Sequence, residues 1–251
     1  MNDADERPRL VVVGAGVAGL TAGLFAARNG VETLVVDGGE SILARNAHLE
    51  NFPGFPAGVN ARTFLSLLRA QARRNGVAVE ADTVVALARA DGEFRVEMAD
   101  GPPLRADHVL ACSWSDSDYL ADLDVAVVER GSKRFVETDR HGRTDVEGLY
   151  AAGRVAEQHH QAVVAAGHGA QAALALLEDA DVPFYHDWVA PEGYFTERGR
   201  EVPPGCEEID EAERRRRERR SLEAIREAVE ESQPEGPTMH PSVVEQRESE
   251  E

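Results

Sequence analysis

The sequence predicts an α/β fold built on a parallel sheet, and three observations carry that prediction. Leu10-Val11-Val12-Val13 is an apolar run of strand length. It feeds Gly14-Ala15-Gly16-Val17-Ala18-Gly19, with glycines at the first, third and sixth places, and then a segment with apolar residues at helical spacing. A second apolar run, Thr33-Leu34-Val35-Val36, ends on Asp37. Strand, glycine turn, helix and second strand together form the unit that opens a dinucleotide-binding sheet.

Each part of that unit has its own physical reason. Gly14 allows the tight turn, Gly16 lets the backbone approach a pyrophosphate, and Gly19 lets the helix lie close on the strand. The helix is built of Ala18, Leu20, Ala22, Leu24, Ala26 and Ala27 and stops at Asn29-Gly30, where Gly30 supplies a left-handed cap. Its N-terminus offers free N–H groups and a partial positive charge to phosphate oxygens. Asp37 falls 21 residues after Gly16, at the place from which an acid takes ribose hydroxyls. Gly14, Gly16, Ala18, Gly19, Asp37 and Gly38 are therefore candidate cofactor contacts, set against the plainer reading of a glycine-rich loop with no ligand.

Composition bounds the rest. At 251 residues the chain suffices for one large domain with appendages. It carries 46 acids against 27 bases, a net charge of -19, and a single lysine, Lys133. Such a surface repels itself in dilute buffer and is tolerated where concentrated salt shortens the Debye length, which suggests a halophile's cytoplasmic protein, the alternative being an ordinary acidic one. The same charge argues against nucleic acid as a partner. Cys112 and Cys206 are too few and too far apart for a disulfide framework, so a reducing compartment is expected. The uncharged run from Leu10 to Ala27 contains four glycines and belongs to the fingerprint, and Asp3, Asp5 and Glu6 do not make a basic leader, so no membrane or export segment is expected.

Beyond Asp37 the segment Ser41 to Phe55 has no regular period but holds the turn cluster Asn51-Phe52-Pro53-Gly54-Phe55-Pro56, followed by a helix from Ala61 to Asn75. The order of glycine fingerprint, acid, Glu50-Asn51-Phe52-Pro53-Gly54 and helix resembles the FAD domain of the thioredoxin reductases and their flavoprotein relatives, over about residues 8 to 178. The resemblance implies a Rossmann-like three-layer FAD domain with an inserted antiparallel meander. It implies that Asn51, Pro53 and Gly54 line the flavin, where the residues alone allow a simple structural turn. Val77 to Glu80 resumes a strand, and Thr83 to Ala88, Phe94 to Met98 and Leu104 to Val109 suit the meander, with turns at Asp91-Gly92 and at Asp100 to Pro103. Val85, on the first of these strands, joins the cofactor set by the same resemblance.

Val109-Leu110-Ala111-Cys112-Ser113 stands where relatives have an apolar strand ending Ala-Thr-Gly, so Ala111 is expected to approach the adenine side through its backbone. In relatives a complete NADPH domain then intervenes, with its own glycine fingerprint and a Cys-x-x-Cys pair. Here only 17 residues, Trp114 to Arg130, stand before the FAD domain resumes, whereas one βαβ unit needs about 30. No second nucleotide domain fits between about residues 113 and 131, and no Cys-x-x-Cys exists to relay electrons.

Phe135 to Asp139 is predicted as a strand, and Thr144 to Arg154 resembles the second FAD signature, an apolar strand ending Gly-Asp. Gly153 keeps the glycine, but Arg154 replaces the aspartate, and a guanidinium only donates and carries the opposite charge. It is left either to pair with the pyrophosphate or to swing outward. His159-His160-Gln161-Ala162-Val163 opens a helix to about Glu178 that resembles the family's Arg-Gln-Ala helix, whose N-terminus faces the flavin. This carries over Gln161 and Ala162, with His160 in place of arginine. His159, His160 and His168 lack a carboxylate or cysteine at ligand spacing, so no metal is expected. No side chain stands out as acid, base or nucleophile, and Cys112 is either a thiol beside the cofactor or an inert buried cysteine.

The predicted domain thus spans residues 1–180. Residues 181–206 are predicted as an extended arm, with Phe184, Tyr185, Trp188, Tyr194 and Phe195 interleaved with prolines; it either covers the flavin or a dimer seam, or packs on its own domain. Residues 207–232 form a charged helix with Leu222, Ile225 and Val229 as an apolar stripe, and 233–251 a disordered tail. The expected function is FAD-dependent oxidoreduction, with NAD(P)H as a transient donor, a small molecule or protein as acceptor and a homodimer as the assembly. The alternatives are a non-catalytic FAD- or NAD-binding module that works with a partner reductase or as a sensor, and an interaction protein that uses its C-terminal helix.

Overall fold

The structure, a computed structural model, describes residues 9–39, 41–131, 133–230 and 236–250. The chain begins with β1 (Arg9–Val13), α1 (Val17–Arg28) and β2 (Glu32–Val36), followed by α2 (Ala61–Arg74) and β3 (Ala78–Glu80). Then come β4 (Val84–Ala90), β5 (Glu93–Met98) and β6 (Leu104–Ala106), then β7 (His108–Ala111). A hairpin of β8 (Val127–Arg130) and β9 (Lys133–Val136) precedes β10 (Leu149–Ala151) and α3 (Ala162–Asp179). The C-terminal part contains β11 (Trp188–Pro191), β12 (Cys206–Ile209), α4 (Glu211–Glu230) and α5 (Pro241–Glu250).

Strand alternation explains the three layers. The central sheet is all parallel in the order β10-β7-β1-β2-β3. Leu10, Val12, Val35, Leu110 and Tyr150 point to one face, where they meet Leu20, Ala22 and Ala26 of α1 and Ala172, Ala173 and Leu176 of α3. Val11, Val13, Val36, Val109 and Ala151 point to the other, against Leu87, Phe94 and Val96 of the antiparallel β4-β5-β6 meander. A period of two thus feeds two cores from one set of strands. This is the α/β architecture with an inserted meander that the sequence predicts.

Close crossing of backbones holds the helical layer together. A Cβ on Gly19 would sit 2.0 Å from the carbonyl oxygen of Gly14, and one on Gly169 would sit 2.2 Å from that of Ala18. Only glycine permits α1 to settle onto its own strand turn while α3 crosses it at the same height.

Several expectations need correction. The run Leu104 to Val109 is two strands, because Asp107 turns the chain: its carboxylate accepts the Arg9 N–H at 2.7 Å while its own N–H donates to the Arg9 carbonyl. The strand foreseen at Phe135 to Asp139 begins earlier, at Lys133, and pairs with β8 in a hairpin whose tip at Gly131 carried no strong apolar pattern. The stretch from His159 is helical only from Ala162, since Gln161 is still extended. The arm is not merely extended: β11 pairs in parallel with β12, and Trp188, Tyr194 and Phe195 pack edge to face on one another. Glu208 fastens it, accepting N–H groups of Gly193 at 3.1 Å and Thr196 at 3.0 Å. Residues 241–250 are helical rather than disordered, and the foreseen charged helix and tail at 231–235, like the acidic residues 3–6, lie outside the described residues.

Gly169→Ala should cost about 1–3 kcal/mol, the usual range for overpacking a close contact, because its methyl meets backbone rather than a movable side chain. A thermal melt should fall by about 2–4 °C per kcal/mol, and an unchanged melt would show that the α1–α3 crossing tolerates separation.

Candidate dinucleotide cavity

One cavity of about 750 Å³ opens at the C-terminal edge of the parallel sheet. Its floor is the glycine turn, Gly14 to Ala18, and two helices begin at its walls. Gly16 caps α1 and Gln161 caps α3, neither with a side-chain hydrogen bond, so both helices present unoccupied first-turn N–H groups where Gly16, Val17 and Ala162 line the cavity. A methyl on Gly16 would meet only the Ser41 hydroxyl, at 3.6 Å, which leaves this turn open to a ligand. Sheets of this class bind in such a crevice, beyond the carboxyl ends of their strands.

Asp37 lies at the end of β2, with Gly38 beside it in the cavity wall. One carboxylate oxygen holds Arg69 of α2 at 2.5 Å, which fixes the side chain and leaves the second oxygen near the Gly39 N–H at 3.4 Å. At the other end, Asn51 donates to the Gln161 amide oxygen at 2.6 Å. That bond ties the Asn-Phe-Pro-Gly segment to the start of α3 across 110 residues of sequence.

The turn after β10 is set by His168. Its Nδ1 accepts the Gly153 N–H at 3.1 Å, and burial pushes its protonation below the usual histidine range. The proton therefore sits on Nε2. Arg154, next in the chain, lies over the Phe135 ring at 4.7 Å and donates to the Gln158 carbonyl at 3.1 Å while still lining the cavity. It has swung onto an aromatic face instead of taking the place of an acceptor.

Of the foreseen residues, Gly14, Gly16, Ala18, Asp37, Gly38, Asn51, Gly153, Arg154, His160, Gln161 and Ala162 line this cavity. Others do not. Gly19 serves the helix crossing, Pro53 and Gly54 line a separate shallow groove from Glu50 to Pro56, and Ala111 is buried in the sheet behind Cys112. Val85 is 52% exposed; the strand's alternation turns Val84 inward to the cavity in its place. None of residues 182–206 lines the cavity, so the arm is not its cover: Asp187 grips Arg28 at the far end of α1. His240, just before α5, does line it.

Residues without a sequence signal complete the walls. Trp114 has a left-handed backbone, φ 63°, and meets His160 edge to face at 4.4 Å. Tyr119 shares a 2.8 Å hydrogen bond with Ser113, and burial pushes its hydroxyl up. Burial likewise raises the Cys112 thiol above the usual range, which favours its protonated form. Ser41, Arg45, Asn46 and Thr83 also contribute. Among the described residues no helix is long and apolar enough to cross a membrane.

Floor, helix termini and acid give this α/β cavity the arrangement of a dinucleotide-binding crevice. The comparisons with known proteins specify it further. Residues 49–169 match the family described as pyridine nucleotide-disulphide oxidoreductase, and residues 12–75 match an NAD(P)-binding Rossmann-like domain. The thioredoxin reductase of Streptomyces coelicolor is 29% identical over 156 residues, 51% of this chain and 48% of that protein. That of Streptomyces clavuligerus is 36% identical over 155 residues, again 51% and 48%. Lactococcus lactis thioredoxin reductase superposes with a TM-score of 0.63 at 13% identity, covering 70% of this chain and 99% of that one. The chain is thus thioredoxin reductase-like in sequence and fold, and it spans about half the length of the curated relatives it matches.

Because His168 is held neutral in the fold, its contribution to stability is complete above pH 6.5, its unfolded pKa, and is lost as pH falls below that value. Melts of the wild type from pH 8 to 5 should decline below about pH 6.5. His168→Gln should flatten part of that decline; an identical slope in the variant would assign it to other groups.

Proposed function

We propose that the cavity binds FAD and that the chain is an FAD-dependent oxidoreductase of the thioredoxin reductase-like group. One observation carries this reading: two uncapped helix N-termini open on the same glycine-floored crevice, with a fixed carboxylate at one end. In this reading the first-turn N–H groups of α1 take the pyrophosphate, and the Asp37 oxygen that faces the Gly39 N–H takes the adenosine ribose. Thr83 and Val84 border the adenine side, and Asn51, Gln161 and Ala162 border the flavin. The partial positive charge at the start of α3 favours an anionic reduced flavin. The bound flavin would supply the two-electron chemistry, and the protein supplies position, field and exclusion of water.

Eleven of the foreseen FAD residues line the cavity, and among these Arg154 is the chemical departure. Its guanidinium stacks on Phe135 and can only donate, so it cannot supply the acceptor that the resemblance places there for a ribityl hydroxyl. Donors and acceptors remain a nicotinamide nucleotide on one side and a small molecule or protein on the other. The absence of any Cys-x-x-Cys pair favours an acceptor reached from the flavin rather than through a protein dithiol, and equally supports a second reading, a module reduced by a partner.

The purified chain should carry or take up one FAD and show a flavin absorption spectrum. Asp37→Ala should weaken FAD about tenfold or more, the usual range for a hydrogen bond to a charged group. Bleaching by anaerobic NADPH would favour the enzyme, and a flavin that stays oxidised would favour the module. A chain that takes up no FAD would overturn both.

A further inference from the structure

The only lysine of this chain, Lys133, lies outside the cavity lining, on a strand that packs against one of the cavity's walls. Lys133 begins β9, and β9 packs on the turn Gly153–Ala156 that carries Arg154. Phe135, two residues along β9, is the ring beneath the Arg154 guanidinium. His160 lies on the same rim, and both Arg154 and His160 line the cavity. After burial, the charges of Arg154 and Lys133 oppose protonation of His160, so all three groups are within electrostatic reach of one another.

Neutralisation is missing at this rim alone of the hairpin's basic groups. Arg130 is held by Glu157 at 3.0 Å and Arg134 by Asp118 at 3.5 Å. Asp116, which also borders the cavity, accepts the Asp118 N–H at 3.1 Å. Among the described residues Lys133 and Arg154 make no ion pair. A chain of net charge -19 repels anions over most of its surface, so unpaired positive charge gathered at one edge of a cavity is a local inversion of the field.

We infer that Lys133, Arg154 and His160 form an anion-recognising rim that seats the phosphates of a nicotinamide-dinucleotide electron donor beside the flavin. The inference rests on the FAD reading above. The β8–β9 hairpin, with the 3-10 turn Asp118–Leu123 before it, fills the stretch between β7 and β10, and so supplies from two short elements a docking site that needs no second nucleotide domain. Lys133 and His160 are exposed, so the attraction of the rim weakens as salt is added.

The experiment titrates FAD-loaded protein with NADP⁺ at low ionic strength, following the perturbation of the flavin spectrum, and repeats the titration with Lys133→Glu. As a control for global charge, Arg95→Glu makes the same change in net charge on the meander, where Arg95 pairs with Glu97. Lys133→Glu should weaken NADP⁺ about fivefold, with FAD content and melting temperature unchanged, while Arg95→Glu leaves affinity as in the wild type. Inorganic pyrophosphate should compete with NADP⁺ in the wild type, and NAD⁺ should bind with a loss set by its missing phosphate. Equal affinity in wild type and Lys133→Glu, or FAD-loaded wild type that takes up no NADP⁺, would overturn the rim and leave the FAD reading standing. A wild type without FAD would overturn the FAD reading itself, and the rim with it.

Discussion

The close crossing of α1 with β1 and α3 is the constraint on which the molecule depends. Gly19 against the Gly14 carbonyl and Gly169 against the Ala18 carbonyl bring three backbones within van der Waals distance. With side chains between them, α1 and α3 would stand apart and their N-termini would open on separate surfaces. Pressed together, they point two sets of unpaired N–H groups into one crevice. The same contact that buries Leu20, Ala22 and Leu176 therefore also creates the site.

Electrostatics divide the surface in two. Most charge is acidic, and on α4 Arg214 to Arg217 are answered by glutamates one turn away, as Arg214 is by Glu211 and Glu218, so that stretch presents a paired face rather than a field. Such exposed pairs add little stability. Around the cavity the balance differs: two helix dipoles and Arg154, with Lys133 on the neighbouring strand β9, act in the same direction, opposed by Asp37 and Asp116. Positive potential is thereby gathered at one place on a chain whose charge is otherwise mostly negative.

Arg154 illustrates how a local departure is absorbed. A guanidinium in place of an acceptor can only donate, so the side chain needs an acceptor or a ring of its own. The hairpin provides Phe135 as a platform, where a guanidinium gains a cation–π contact and one carbonyl partner. His168 then holds the Gly153 N–H that anchors the turn, so the backbone keeps its path while the side chain leaves it.

The sequence alone determined what depends on local backbone chemistry: the glycine turn, the first two strands and the helix between them, and the acid at the end of β2, because turn geometry and side-chain periodicity are encoded within a few residues; the three layers and the lining positions Asn51, Gly153, Arg154, His160, Gln161 and Ala162 came from the resemblance of its motifs to a family. Tertiary structure decided what depends on elements far apart in the chain. It paired Asn51 with Gln161, set His168 behind Gly153, turned Val84 rather than Val85 inward, sent the aromatic arm to the far end of α1, and gathered Lys133 with Arg154 and His160. No local pattern specifies these, since each follows from how closely two backbones pass and on which side, and that distance is set by the packing of the whole core.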